Sequence, residues 1–170
     1  MNRVLLNGLL KERLLVSVLM VLTNCVVFAQ SANEIIDKYR AYKGAEYVTY
    51  SKSELADLYK ELPENDFMKI LAKKGNSLKA VSIENMDTKE LKKARELVKD
   101  LDEHNYAELI DESDHEGNTI TIRFLEDDDK YIITDVFVYL VNKGRSAYFV
   151  YAKGIYLESD IDGIEGLFMH

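Results

Sequence analysis

Residue types that could do chemistry are few in this 170-residue sequence, and none stands at a spacing that defines a catalytic centre. The single cysteine, Cys25, excludes an intrachain disulfide and a cysteine-based zinc site. The sequence has no G-x-S-x-G nucleophile elbow, no Walker loop and no paired H-x-x-x-H zinc spacing. His104 follows a predicted helix and His115 lies in a predicted turn. We therefore predict no catalytic residue, cofactor site or metal site, and the sequence favours a non-catalytic protein.

Acidic residues are the more tempting candidates, because they cluster at Asp111–Glu116, Glu126–Asp129 and Glu158–Glu165. A calcium loop needs oxygen ligands at fixed spacing and a bidentate glutamate at its twelfth position. With Gly117 as the sixth residue, that position holds Arg123, so the spacing fails. We interpret the clusters as solvated turns. A weak surface calcium site and a paired-carboxylate glycosidase site are the alternatives.

Tyrosine is the one residue type in excess, with eleven tyrosines and no tryptophan. Tyrosine combines an apolar ring with a polar tip, so it suits both half-buried sheet faces and interaction surfaces. One interpretation is ordinary sheet packing. The other is a binding face on the open side of the sheet, for which the candidate residues are Tyr131, Tyr139, Tyr148 and Tyr151. Tyr148 and Tyr151 are alternatives, because strand alternation puts them on opposite sides of the sheet.

Overall composition is that of a globular protein, with 47% hydrophobic and 31% charged residues. The 30 acidic and 22 basic residues give a net charge of −8, which argues against a nucleic-acid partner. The length predicts one domain.

The N-terminus has the layout of a secretory signal peptide. Three basic residues lie within the first 13 positions, and the apolar run Leu14–Phe28 follows them. The small residue Ala29 comes directly after this run. The run is shorter than the roughly 20 residues of a membrane-spanning helix. We predict that residues 1–29 are a signal peptide cleaved after Ala29, and that residues 30–170 form a single α+β domain.

A lipoprotein signal is the alternative reading of the same segment. Leu22 stands three residues before Cys25, as such a signal requires, but Asn24 occupies the position of a small residue. We therefore predict that the protein is exported without a lipid anchor. It would attach to a membrane only if it were lipidated at Cys25.

The order of predicted elements is helix, strand, two helices, strand, helix and then four strands. Capping-box patterns start at Ser31 and Ser51, and an amphipathic helix ends near Leu101 with Leu97 in its apolar stripe. From Tyr106 onward the hydrophobic period is two, with turn residues between the runs. We predict an α+β, two-layer sandwich, with a mostly antiparallel sheet and the helices on one face.

Several short motifs follow one another along the chain: Tyr42–Val48, Tyr50–Lys52, Glu90–Leu101, Asn105–Ile110, Asp114–Gly117 and Lys153–Ile161. In this ordered set the chain resembles the domain of unknown function 4252 family, exported proteins of Bacteroidetes. The resemblance covers nearly all of residues 31–167. It implies an α+β fold and export to the periplasm or cell envelope of a Gram-negative bacterium, and many similar proteins carry lipoprotein signals. It implies no activity, ligand or catalytic residue, because the function of that family is not established.

The functional prediction is an exported non-catalytic protein that binds an envelope protein or ligand through a tyrosine-rich sheet face. A carboxylate-based envelope enzyme and a purely structural envelope component are the alternatives. An exposed aromatic patch would favour binding, whereas a cleft with two converging carboxylates would favour the enzyme.

Overall fold

The computed structural model describes residues 31–64, 66–101, 105–127 and 130–160. The predicted signal peptide, including Cys25, lies outside these residues, as does His104. The helices are α1 (Ala32–Arg40), α2 (Lys52–Glu61), α3 (Phe67–Lys74) and α4 (Thr88–Lys99). The strands are β1 (Ala45–Ser51), β2 (Gly75–Ile83), β3 (Tyr106–Ser113), β4 (Thr119–Asp127), β5 (Ile132–Asn142) and β6 (Ser146–Tyr156).

All six strands form one sheet in the order β1-β2-β6-β5-β4-β3, and every neighbouring pair is antiparallel. Strands β3 to β6 are a meander, while β2 joins the far side of β6. Strands β1 and β3 are therefore the two edges of the sheet. The α+β class and the antiparallel sheet predicted from the sequence are confirmed.

Local sequence signals fix the helix starts. The backbone N–H of Ser31 donates to the Glu34 carboxylate at 3.0 Å, and Glu34 N–H donates back to the Ser31 hydroxyl at 3.3 Å. Ser51 N–H likewise donates to Glu54 at 2.7 Å. At the start of α4, Asp87 accepts from the backbone of Lys89. These contacts satisfy backbone donors that a helix start leaves unpaired.

The helices cover both faces of the sheet, which corrects the prediction of a two-layer arrangement with helices on one face. Helices α1 and α4 share an apolar cluster with Phe149, which defines the first face. Helices α2 and α3 share a second cluster with Val150, which defines the second face. Neighbouring strand residues point to opposite sides, so the two clusters lie on opposite faces. The cause is the near-continuous apolar run in β5, where Val136 to Tyr139 are all buried and both sides need cover.

Helix α4 packs through a narrower stripe than the sequence predicts. Leu91, Ala94 and Val98 are buried, whereas Leu97 is only partly buried beside the same cluster. None of the helices in the described ranges is long and apolar enough to cross a membrane.

Candidate binding groove

The four candidate tyrosines do not share one open face. Tyr139 and Tyr151 point to the first face and are buried in its cluster. Tyr148 points to the second face and is 38% exposed. Tyr131 lies in the β4–β5 connection with a φ of 53° and is 81% exposed. Strand alternation separates them, so only Tyr148 belongs to an uncovered part of the sheet.

The buried tyrosines of the first face hold the fold together. The Tyr139 hydroxyl donates to the carbonyl of Leu91 at 3.1 Å and so ties β5 to α4. The ring of Phe149 lies between Tyr39, stacked with centroids 4.4 Å apart, and Tyr139, at 5.1 Å. Burial raises the pKa of Tyr139 above its usual value, so its phenol stays a hydrogen-bond donor at neutral pH. Ordinary sheet packing is therefore the observed role of Tyr139.

Asp135 carries the one buried carboxylate of the described chain, at 7% exposure. The Tyr151 hydroxyl donates to Asp135 Oδ1, and Lys153 Nζ lies 3.6 Å from the same oxygen. Burial, followed by the nearby Asp135 charge, raises the pKa of Tyr106 to about 12. Burial and then the Asp135 hydrogen bond raise the pKa of Tyr151 further. The protonated phenol of Tyr151 thus stabilises a carboxylate that burial alone would disfavour.

The sequence reasoning missed Asp135, although a signal was present. Asp135 is the one charged residue in the otherwise apolar run of β5. A bulge between Ile133 and Asp135 accompanies it in the ladder to β6. A charge at such a position must be buried with partners or lie at an uncovered end of the sheet.

The acidic cluster Asp111–Glu116 at the β3–β4 hairpin was predicted to be a solvated turn. In the structure, two of its carboxylates make contacts that support the fold. Asp111 accepts hydrogen bonds from Thr121 at 2.9 Å and Arg95 at 3.2 Å, and Lys99 lies at 3.2 Å. Although partial burial opposes it, these partners hold the pKa of Asp111 below its usual value. Asp114 instead closes the turn, as expected of a turn aspartate.

A cavity of about 540 Å³ opens at the end of the second face that carries the β3–β4 and β5–β6 turns. Its floor is a cross-strand row in which Ile120 stands opposite Leu140, and Leu140 opposite Tyr148. Glu112 stands opposite Ile120 and continues the row to the β3 edge. We call this cavity the groove. Helices α2 and α3 pack instead with Leu78 and other residues of the second cluster.

The two turns form the end wall of the groove and brace each other. Gly144 N–H donates to the carbonyl of Gly117 at 2.8 Å, and Lys143 N–H donates to the Asn118 side chain at 2.9 Å. Gly117 has a φ of +85°, and a Cβ there would lie 3.1 Å from the Gly144 nitrogen. Hydrogen bonds from Asn118 also lower the pKa of Asp114, which therefore stays ionised. The wall is thus a fixed, acidic feature.

The groove combines an apolar floor with an acidic rim. Glu112 and Asp114 are the two carboxylates among its described lining residues, which include no basic side chain. Asn118 and Asn142 add amide groups that can donate or accept. This arrangement can hold an apolar group that carries positive charge or hydrogen-bond donors at its edge.

Within the described ranges, no group of three or more His, Cys, Asp or Glu side chains could hold a metal ion. When the chain was compared with known proteins, no family model, curated protein or solved structure matched it. The resemblance to the domain of unknown function 4252 family accordingly stays a prediction from sequence motifs.

Proposed function

We propose that this protein is an exported, non-catalytic binding protein that holds a polypeptide segment of an envelope partner in the groove. The segment would present an apolar side chain flanked by lysine or arginine. The observation that carries this proposal is the cross-strand row of Ile120, Leu140 and Tyr148, which forms the floor of the groove and ends at Glu112.

The floor of the groove favours an apolar side chain. Exposed apolar patches rimmed by polar groups are typical of interaction sites, and tyrosine is a frequent anchor residue in them. Tyr148 is the partly exposed aromatic residue of the row, while Ile120 and Leu140 are half-buried beside it. This interaction surface is smaller than the tyrosine-rich face predicted from the sequence, since it uses one of the four tyrosines.

The rim favours a basic flank on the partner. Opposite charges across an interface steer association and select the partner. Glu112 lies at an exposed position on the β3 edge, and Asp114 is held in its ionised form by the turn. The net charge of −8 acts in the same direction over longer range.

Export is the cellular setting of this proposal. It is supported by the basic start, the apolar run and the small residue Ala29 in the N-terminal segment. The periplasm or cell envelope would then supply the partner. Lipidation at Cys25 is the alternative form, which would place the groove on a membrane-anchored protein.

A carboxylate-based enzyme is the second candidate function, and the buried Asp135 is the observation that favours it. Its carboxylate, however, is already engaged by Tyr151 and lies near Lys153. General acid-base work requires a proton acceptor within reach of substrate, and the groove is lined by other residues. Binding is therefore the function that the geometry supports better.

An NMR titration tests the proposed groove directly. The probe is a short synthetic peptide of alternating lysine and leucine, and its matched control alternates glutamate and leucine. We expect the lysine peptide to shift the backbone amide signals of Ile120, Leu140 and Tyr148, and the glutamate peptide to leave them in place. Shifts confined to other surfaces, or equal shifts with both peptides, would contradict the proposal.

A charge reversal sharpens the same test. Glu112→Lys replaces an exposed rim carboxylate with a cation, so it should weaken binding of the lysine peptide while leaving the fold intact. Glu46→Lys is the matched control, because Glu46 is exposed on the opposite edge strand. Equal loss of binding in the two variants would show that only overall charge matters.

A further inference from the structure

We propose that the outer edge of β1 pairs with β1 of a second copy of this chain, which doubles the six-stranded sheet. This surface is separate from the groove, which lies nearer the other edge of the sheet. The occupant is a second copy, because the strand placed antiparallel to itself sets its one charged residue, Glu46, opposite the uncharged Tyr50.

The outer edge of β1 has no strand partner within the described chain. Its seven residues pair with β2 on one side only, from Ala45 opposite Ile83 to Ser51 opposite Ser77. The backbone N–H groups at the two ends of the strand have other partners: Ala45 donates to the carbonyl of Tyr42 in the preceding turn, and Ser51 donates to the Glu54 carboxylate at the start of α2. An open edge of this kind presents alternating N–H and C=O groups that can template another strand.

The composition of β1 does not protect this edge. Glu46 is its single charged residue, and Tyr47 to Tyr50 are aromatic or β-branched residues that favour strands. The other edge strand, β3, carries Glu108, Asp111 and Glu112 and has a bulge. Charges and bulges are the usual means of blocking edge-to-edge pairing. The two edges therefore differ, and β1 is the one open to association.

The antiparallel register centred on Val48 brings no like charges together. In it Val48 stands opposite Val48 of the second copy, Tyr47 opposite Thr49 and Glu46 opposite Tyr50. Val48 is 46% exposed on the second face and would lose water on pairing. Aromatic and β-branched pairs across strands are stabilising, and the symmetric register makes a closed two-fold dimer.

Sedimentation equilibrium of the purified protein tests the pairing. We expect a reversible monomer–dimer equilibrium for the unaltered chain. Val48→Lys places two cations opposite each other at the two-fold axis and should raise the dissociation constant about tenfold or more. Ala107→Lys adds the same charge at an exposed position on β3 and should leave the dissociation constant unchanged. A monomer at every concentration, or equal effects of both substitutions, would overturn the proposal.

A charge-rescue experiment keeps the test independent of any loss of folding. Val48→Glu should also weaken self-association, whereas a mixture of Val48→Lys and Val48→Glu should form a heterodimer through the opposed charges. Hydrogen exchange on the unaltered chain adds a direct readout, since β1 amides should become more protected as protein concentration rises. Protection that does not depend on concentration would contradict pairing at this edge.

Discussion

The substitution Tyr151→Phe removes one hydroxyl and tests the buried contact between Tyr151 and Asp135, the carboxylate that the sequence reasoning missed. The phenol donates to Asp135 Oδ1, and both side chains are buried on the first face. Phenylalanine keeps the ring and its packing but deletes the donor. The change therefore isolates one hydrogen bond to a buried charge.

The expected loss of unfolding free energy is about 1.5–3 kcal/mol, the usual contribution of a hydrogen bond to a charged group. Two neighbouring side chains could replace part of the lost hydrogen bond. Lys153 Nζ lies 3.6 Å from the carboxylate, but its side chain is largely exposed, so its pairing contributes little. The Tyr106 phenol, which also interacts with Tyr151, can compensate in part and moves the expected value toward the lower end.

Urea unfolding followed by far-ultraviolet circular dichroism measures this loss. Tyr148→Phe is the matched control, because Tyr148 lies partly exposed on the second face and its hydroxyl makes no hydrogen bond with the described residues. We expect the control to change stability by no more than about 0.5 kcal/mol. A double-mutant cycle with Asp135→Asn would then isolate the coupling between the two side chains.

Equal effects of the two phenylalanine substitutions would refute this reasoning. So would a Tyr151→Phe protein as stable as the unaltered chain, because a buried carboxylate would then need no phenol donor. A coupling energy near zero in the cycle would show that Tyr151 stabilises the fold through packing alone.

Three further outcomes follow from the fold and the sequence. Ile36→Ala should cost about 2–5 kcal/mol, since Ile36 is fully buried, whereas Lys93→Ala on the exposed side of α4 should change little; chemical unfolding measures both. Burial raises the pKa of Tyr106 to about 12 and raises the pKa of Tyr139 as well, so these tyrosines give stability that is complete below the unfolded-state pKa of about 10 and is lost as pH rises toward 12. The absorbance of the buried tyrosinates should therefore appear together with unfolding, and ionisation of the buried tyrosines in a chain that is still folded would contradict this. The mass of the exported protein should match a chain that begins at Gln30, and a lipid on Cys25 would overturn that cleavage site.

Local signals in the sequence predicted the elements well. The capping boxes at Ser31 and Ser51 start helices as expected, and the period of two after residue 106 matches the meander of β3 to β6. These signals are short-range, because a cap or a strand pattern depends on residues close in sequence.

The positions of helices and tyrosines depend on long-range packing, which the sequence patterns do not specify. No local signal tells whether α2 packs on the first or the second face, although the apolar run of β5 indicated burial on both sides. Strand alternation puts Tyr148 and Tyr151 on opposite sides, but only the packing of the helices decides that Tyr151 is covered and Tyr148 is not. The groove was not predicted, because it requires the register that aligns Ile120, Leu140 and Tyr148 across three strands.

We propose that the groove, rather than exposed tyrosine in general, binds a basic and apolar segment. Calorimetric titration of the lysine–leucine peptide into Tyr148→Ser and Tyr131→Ser tests it most directly, since both tyrosines are exposed and only Tyr148 lines the groove. We predict that Tyr148→Ser abolishes or strongly weakens binding, and that Tyr131→Ser binds as the unaltered protein does. Equal binding by both variants, or loss in Tyr131→Ser alone, would contradict the account.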